Sequence, residues 1–533
     1  MKHLASTSRS IHSALSLLAA FALACGAADE DGASNVPPAF GGVTPGAPAP
    51  GAAGTSGGSD VTNPPAGDPN QPANTPSETP VQNGETPLTG SEGNGNGTGQ
   101  PPVDPGNPQS PGDPGQPQDP GQPGPQNPPA RGPGGTANLF SEVLGRSQAE
   151  VDAKVQTAVD RFFGIGGNDP ATPTLNGGAR SFYTLPQDPS MGFVWAADSN
   201  DIRSEGMSYG MFIAVQMDMQ QQFDQLWRFA QRFMQYSDTP TYPAWARYFR
   251  WTGTVNTANA NNWTVTYNAE ESPASDGEEY FAAALYLADR RWGSGGAINY
   301  EQEADAIASA MLNNPPGSSR FPLFHADENM VVFVPIGTSN EHSDPSYHLP
   351  AFYEIFAQDG PAADAARWLE IAEVSRDYLV RSANANTGLH PDYANFDGTP
   401  TQGFQASDHD TFSFDAWRVP MNMAVDYAWS NQDQRMRTQV EKYHAFFANN
   451  LGNGNVSNSR FAINGTGGMG GGSQALVASL AAGALATNGG NRMTFVNNLW
   501  NIAQPTGNFR YYQGSVYLLG LLATAGYFAY GWE

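Results

Sequence analysis

Three acidic residues stand in settings suited to proton transfer. They are Glu205 in Ile202-Arg-Ser-Glu-Gly-Met-Ser-Tyr-Gly210, Asp276 in Asp276-Gly-Glu-Glu-Tyr-Phe281, and Asp415 in Phe414-Asp-Ala-Trp-Arg418. Each lies at the start of an apolar, helix-patterned stretch, beside glycine or aromatic residues rather than lysines. A carboxylate placed so is partly desolvated, and its proton affinity can be tuned as acid–base chemistry requires. Two or three such groups converging on one cleft would suit cleavage of a glycosidic bond. An acid at a helix start also serves as a cap or a partner of the helix dipole, so only convergence separates the two roles.

The elements that must position these acids are helical. Apolar residues recur at three- and four-residue spacing through most of the chain beyond residue 137. Ser147 is placed to cap a helix with Val151, Val155, Val159 and Phe162 on its inward face. Further helices are expected near 204–219, 221–236, 277–291, 300–313, 346–358, 361–382, 415–429, 432–450, 472–486, 491–502 and 513–529. Long Gly/Asn/Pro-rich loops precede all three acids, as loops that carry function do. Strand-like pieces are few; the best are Met330-Val-Val-Phe-Val334 and Trp263-Thr-Val-Thr-Tyr267, read as small hairpins in loops. These features predict an all-α domain with a substantial core.

The N-terminal part is of another kind. Lys2, His3 and Arg9 precede an apolar run from Ala14 to Ala24 that ends at Cys25, the only cysteine. This pattern reads as a lipoprotein signal peptide over 1–25, with Ala22-Leu23-Ala24-Cys25 resembling a lipobox and Cys25 as the lipidation site. Disulfides within the chain and thiolate-rich metal sites are excluded. Residues 26–136 are dominated by Pro, Gly, Asn, Gln and Ser and repeat Asp-Pro-Gly-Gln-Pro at 113 and 119. Such a segment has too little apolar surface to order itself, and reads as a disordered, semi-rigid linker. At about 3.1 Å per residue it could hold the domain of 137–533 on the order of 100–300 Å from a membrane anchor. The expected location is therefore a bacterial membrane, outer membrane or cell surface, with nothing pointing beyond a monomer.

With 51 acidic against 25 basic residues the net charge is −26, and only Lys154 and Lys442 lie outside the signal. No basic stripe is available for phosphate backbones, so nucleic acid is not an expected partner. Acidity with abundant aromatic residues fits a neutral ligand bound by stacking and hydrogen bonds.

Several segments together resemble glycoside hydrolase family 8. They are the stretch around Glu205, the Asp276 run, Asp344-Pro-Ser-Tyr-His-Leu-Pro-Ala-Phe-Tyr353, and Phe414-Asp-Ala-Trp-Arg-Val419. Gln504-Pro-Thr-Gly-Asn-Phe-Arg-Tyr-Tyr-Gln-Gly-Ser515 is similar to the xylanase branch in particular. The resemblance implies an (α/α)6 barrel, two concentric rings of helices with a cleft at one end, and inverting hydrolysis of a β-1,4-linked polysaccharide. It implies no cofactor and no metal. By motif, Glu205 would be the general acid, Asp415 the general base, and Asp276 the residue that holds and distorts the sugar ring. Tyr347 resembles the family tyrosine near the nucleophilic water. The acid is expected to have a raised pKa and the base the reverse, with Arg418 favouring its charged form or holding the sugar. Trp245, Phe414, Phe509 and Tyr512 are candidate sugar platforms, with core packing as the competing role. Glu278 and Glu279 are expected to serve the helix start.

Xylan is the expected substrate, cut internally. A base at Asp415 argues against the chitosanase branch. Relatives that trim xylo-oligosaccharides from the reducing end carry a Leu-His-Pro loop, whereas the comparable Gly468-Met-Gly-Gly-Gly-Ser473 has neither histidine nor proline. The Asn-rich insertion around 254–270 has no evident counterpart. The rivals are an endoglucanase acting on cellulose or mixed-linkage glucan, and a barrel that binds polysaccharide without cleaving it. Three formal signals are set aside. Gly54-Thr-Ser-Gly-Gly58 lies in the linker, without the strand and helix a nucleophile elbow needs. Gly465-Thr-Gly-Gly-Met-Gly470 lacks the acid that a dinucleotide site requires. His342, Asp344 and His348, like Asp408, His409 and Asp410, have no recognised metal-ligand spacing.

Overall fold

The computed structural model describes residues 134–532 apart from 168, 404–407, 431 and 453. The leader with Cys25 and nearly all of the 26–136 segment lie outside the described residues. Thirteen α-helices are described, twelve of which fall on the stretches expected from periodicity. The extra one, α1 (Leu139–Leu144), is too short to show a period and is fixed by its cap, Asn138 accepting from Ser141 N. Helix α2 (Gln148–Phe163) carries the expected Ser147 capping box with Glu150, and buries Val151, Val155, Val159 and Phe162.

The remaining helices alternate between two rings. The inner ring is α3 (Ser204–Gln216), α5 (Ser275–Trp292), α7 (Pro350–Asp359), α9 (Val419–Trp429), α11 (Gln474–Gly483) and α13 (Tyr512–Thr524). Each packs on the next, and α13 closes the circle on α3. The outer ring is α2, α4 (Gln220–Phe229), α6 (Tyr300–Asn313), α8 (Ala365–Arg381), α10 (Gln434–Ala448) and α12 (Arg492–Asn501). This is the (α/α)6 barrel that the resemblance implied.

Composition explains which helix goes where. In α11 every residue from Ala475 to Gly483 is buried, and in α13 every residue except Tyr512. A helix apolar on all sides is stable only when surrounded, whereas α2, α8 and α10 have one apolar face and suit the outside. Small residues bring the inner helices together: a Cβ on Gly520 of α13 would stand 2.7 Å from the backbone of Ala478 in α11.

Strands are short and confined to loops. β1 (Phe182–Leu185) pairs antiparallel with β2 (Asp188–Val194), a hairpin hidden in the sequence by its prolines and glycine. β3 (Ile202–Arg203), β4 (Thr252–Asn256) and β5 (Thr264–Tyr267) form one sheet. The Asn-rich insertion is thus a hairpin hydrogen-bonded to the strand that leads into Glu205, and Gln187 clamps both the N–H and C=O of Trp263. Met330–Val334 forms no strand; it makes a single bridge, Val331 with Phe324, and packs as buried loop. At the front of the domain, Gly135 bridges Ala529 and Thr136 N donates to Phe528 O, so the chain is already tied to the barrel before residue 137.

Candidate active site

The inner helices present their N-terminal ends to one face of the barrel, and the acids follow from that arrangement. Glu205 is the second residue of α3 and Asp276 the second of α5. Asp344 opens the 3-10 turn Pro345–Tyr347 that leads to α7, and Asp415 begins the 3-10 turn that runs into α9. Tyr511 and Tyr512 stand at the start of α13. Residues more than 300 positions apart meet because six helix starts share one end of a ring.

Their meeting point is Arg418, buried at 3 % exposure. Its Nη1 donates to Glu205 Oε1 at 3.0 Å, Tyr209 Oη at 2.8 Å and Asp276 Oδ2 at 3.2 Å. Its Nη2 donates to Asp415 Oδ1 at 3.2 Å and Asp344 Oδ2 at 3.3 Å. Glu205 and Asp415 therefore share one guanidinium, the first on Nη1 and the second on Nη2. Tyr511 donates to the other Glu205 oxygen at 2.8 Å.

Two glycines make this geometry possible. A Cβ on Gly206 would come within 2.4 Å of the Tyr511 ring, and one on Gly277 within 2.7 Å of Ser204 Oγ. The glycines after Glu205 and Asp276 are therefore steric requirements, letting α13 and α3 approach those two acids.

Four carboxylates around a single cation leave three negative charges uncompensated if all ionise, so the free site holds protons. Burial first, and the Glu205 carboxylate next, push Asp276 up to about 7 against the pull of Arg418. Burial likewise raises Asp344 to about 7, opposed by Arg418 and by the Ser346 donors. Burial and the adjacent Asp344 carboxylate hold Asp415 well above the usual carboxylate range, with Arg418 opposing. This reverses the expectation for Asp415. Arg418 is in place, but it is divided among four acids and cannot outweigh burial and a neighbouring carboxylate.

The other expected residues divide into two groups. Tyr347 is in the site, buried, with the Arg418 guanidinium 5.4 Å from its ring centroid. Tyr512 is half-buried; its hydroxyl donates to Phe414 O at 2.5 Å, and its ring lies 5.9 Å from the Arg418 guanidinium. Phe414 is half-buried against Trp417 and has the Arg460 guanidinium 5.0 Å from its ring. Phe509 is 43 % exposed. Trp245 is not a sugar platform: it is fully buried, its Nε1 donates to Pro335 O, and Tyr236, Tyr242 and Arg320 surround its ring. The Pro243–Trp245 turn folds it inward, so core packing takes it.

Glu278 and Glu279 are fully buried structural groups, the first accepting from Phe249 N and the second from Tyr353 Oη. His348 is held between Ser343 and Ser375. Sequence reasoning missed Tyr209, Asp344, Tyr511 and Asp392 as site residues. Asp344 lies inside a motif singled out for Tyr347, and Tyr511 at an inner-helix start, which is the signal that could have found both. Asp392 carries no local signal; its Oδ1 accepts from Ser413 N at 3.2 Å and Ala416 N at 3.1 Å and so fixes the backbone on both sides of Asp415.

Residues 194–526 match the family model described as glycosyl hydrolases family 8. The chain is 33 % identical over 398 residues to a reducing end xylose-releasing exo-oligoxylanase of Halalkalibacterium halodurans, covering 73 % of this chain and 93 % of that protein. It is 28 % identical over 359 residues to Endoglucanase 2 of Ruminiclostridium josui, covering 66 % and 68 %. Among solved structures, a catalytic mutant of a xylanase from Teredinibacter turnerae in complex with xylohexaose superposes with a TM-score of 0.66 at 38 % identity, covering 74 % of this chain and 98 % of that one.

Proposed function

Because the chain belongs to glycoside hydrolase family 8 and is a hydrolase of β-1,4-linked glycans, we propose that it is an inverting endo-1,4-β-xylanase. The observation that carries this reading is the convergence of Glu205 and Asp415 on opposite nitrogens of Arg418. An inverting pair needs roughly 6.5–9.5 Å to admit a water, against about 5–5.5 Å for a retaining pair. The shared guanidinium brings the two carboxyls into one site, as such a pair requires.

Glu205, with 16 % of its side chain exposed, is the general acid that protonates the leaving oxygen. Asp415 is the base that takes a proton from the attacking water, with Tyr347 beside that water. Asp276 holds the sugar ring where the bond breaks, and Arg418 ties all of them to one frame. When substrate enters, its hydroxyls supply hydrogen bonds that the crowded acids lack, and Asp415 can give up its proton to do its work as base. Phe509, Tyr512 and Phe414 are the aromatic faces left for further sugars.

Xylan is favoured over glucan because the xylanase bound to xylohexaose shares more identity with this chain than the endoglucanase does. Endo action is favoured by Gly468-Met-Gly-Gly-Gly-Ser473, which has neither the histidine nor the proline of the Leu-His-Pro loop of exo-acting relatives. Arg460 bridges Met469 and Ala462 N donates to Thr466 O, a loop folded on itself and bearing Met469 at 51 % exposure. An exo-acting reading has its own support in the exo-oligoxylanase relative. Initial rates on xylan, carboxymethyl cellulose and barley glucan decide the substrate. A ladder of xylo-oligosaccharides with an early fall in viscosity is expected; xylose as the sole early product would establish exo action. Glu205→Gln should lose activity by roughly 10²–10⁴-fold with the fold unchanged, the span of a lost proton-transfer group; near wild-type activity would overturn the assignment. The pattern ending at Cys25 further supports a lipid-anchored enzyme at the bacterial surface, for which metabolic labelling with palmitate, and its loss in Cys25→Ala, is the test.

A further inference from the structure

Each turnover of an inverting hydrolase leaves its protons displaced. The attacking water's O–H bond breaks as its oxygen bonds the anomeric carbon, and that proton goes to the base. The bond from the anomeric carbon to the leaving oxygen breaks as that oxygen takes the proton of the acid. The base must then lose a proton and the acid regain one before the next cycle. Asp415 is badly placed to do so directly: only 8 % of its side chain is exposed, and Arg418 holds one of its oxygens.

A second group stands beside it. Asp392, His409 and Asp415 each bring one donor atom within 4.8 Å of one another. His409 Nδ1 lies 3.3 Å from Asp392 Oδ2, and the imidazole is stacked on Tyr393 at 4.3 Å. Asp392 is the same residue whose other oxygen holds the backbone around Asp415, so one carboxylate orients both the base and the ring. The Asp392 side chain is 1 % exposed and that of His409 is 12 % exposed. The chain then runs straight out to Asp408, 74 % exposed and 3.8 Å from Arg460.

We propose that His409 is a proton-relay residue acting through Asp415: it accepts the proton that Asp415 takes from water and passes it to solvent, with Asp392 holding the ring. The step is balanced. The carboxylic acid O–H of Asp415 breaks, its proton crosses the gap through one bridging water, an N–H forms on the unprotonated nitrogen of the imidazole, and the imidazolium then loses that proton to solvent or buffer. The imidazole stacked on Tyr393 has Asp392 and Asp415 as near charges; exposed Asp408 pairs with half-buried Arg460, and Asp344 and Arg418 lie behind Asp415. An imidazole suits the task because it has two ring nitrogens, one to meet Asp392 and one to take up the proton.

The proposal rests on the reading of Asp415 as base, and the two are separable. Asp415→Asn should abolish hydrolysis; if it does not, the base assignment itself fails. Given that loss, His409→Ala should lower kcat on soluble xylo-oligosaccharides by on the order of tenfold, below the full effect of a group acting on the substrate itself. KM should be unchanged, and added imidazole should restore the rate in a dose-dependent way. His409→Gln keeps a donor to Asp392 but carries no proton, so it should be as slow as the alanine variant. Wild-type kcat in His409→Gln, or a slow His409→Ala that imidazole does not rescue, would overturn the relay. If His409→Ala does not fold, His409→Gln decides: a slow rate with an increased solvent isotope effect supports the relay, and a wild-type rate and isotope effect refute it.

Discussion

Gly206 lies so close to Tyr511 that a Cβ built on the glycine would stand 2.4 Å from Tyr511 Cε2. The same tyrosine donates its hydroxyl to Glu205 Oε2 at 2.8 Å. The missing side chain on one helix thus sets a hydrogen bond to the acid from another.

Gly206→Ala should therefore displace the Tyr511 ring and break that bond. A hydrogen bond to a charged group contributes about 1.5–3 kcal/mol, which corresponds to roughly 10–100-fold in rate if it acts in the transition state. Tyr511→Phe should show a comparable fall in kcat without the steric cost, visible as a smaller drop in melting temperature. Full activity in Gly206→Ala would mean that the contact has no part in catalysis.

Arg418 ties four carboxylates together, so its removal exposes them to one another. Arg418→Gln should cost about 3–5 kcal/mol at neutral pH, the usual penalty for leaving buried charge unpaired. The deficit should shrink as pH falls below about 7, where Asp276 and Asp344 take up protons and the acids lose their mutual repulsion. Urea denaturation at pH 7 and near pH 4 measures both; a pH-independent deficit would contradict the electrostatic account.

Asp276 and Asp344 have folded-state pKa values of about 7, above the ordinary 3.8. Between those limits the folded protein holds protons that the unfolded chain has released, so stability must fall as pH rises through that window and level off above it. Asp344→Asn keeps a side-chain acceptor for Arg418 but removes one ionisation. The variant should show a flatter dependence of melting temperature between pH 4 and pH 8, and should be more stable than wild type at the upper end. Equal slopes in the two proteins would show that Asp344 does not titrate there.

The aromatic candidates should separate by experiment as they do by burial. Trp245→Ala should cost about 3–5 kcal/mol through the cavity it leaves, whereas Trp245→Phe should leave KM for long xylo-oligosaccharides unchanged. Phe509→Ala should scarcely affect stability but should raise KM for the longer substrates; an unchanged KM would remove Phe509 from the substrate path.

Much of this protein was legible in its sequence because the rules involved are local. Helix periodicity located twelve of the helices, and the cap at Ser147 set the start of one within a residue. The acids of the three main motifs stood out because a charged residue between glycine and apolar neighbours is anomalous without any knowledge of the fold. Other features had no local trace. Nothing near Trp245 distinguishes a ring facing sugar from one packed under Arg320, and nothing near Asp344 announces that its carboxylate reaches Arg418, 74 residues away. The acidity of Asp415 was misjudged for the same reason: one adjacent arginine was visible, but not the three other acids that share it. Side-chain pattern decides which segments coil and which faces turn inward. Closure of the inner ring decides which helix starts become neighbours, and Coulombic interaction and desolvation act only once that closure has brought them together.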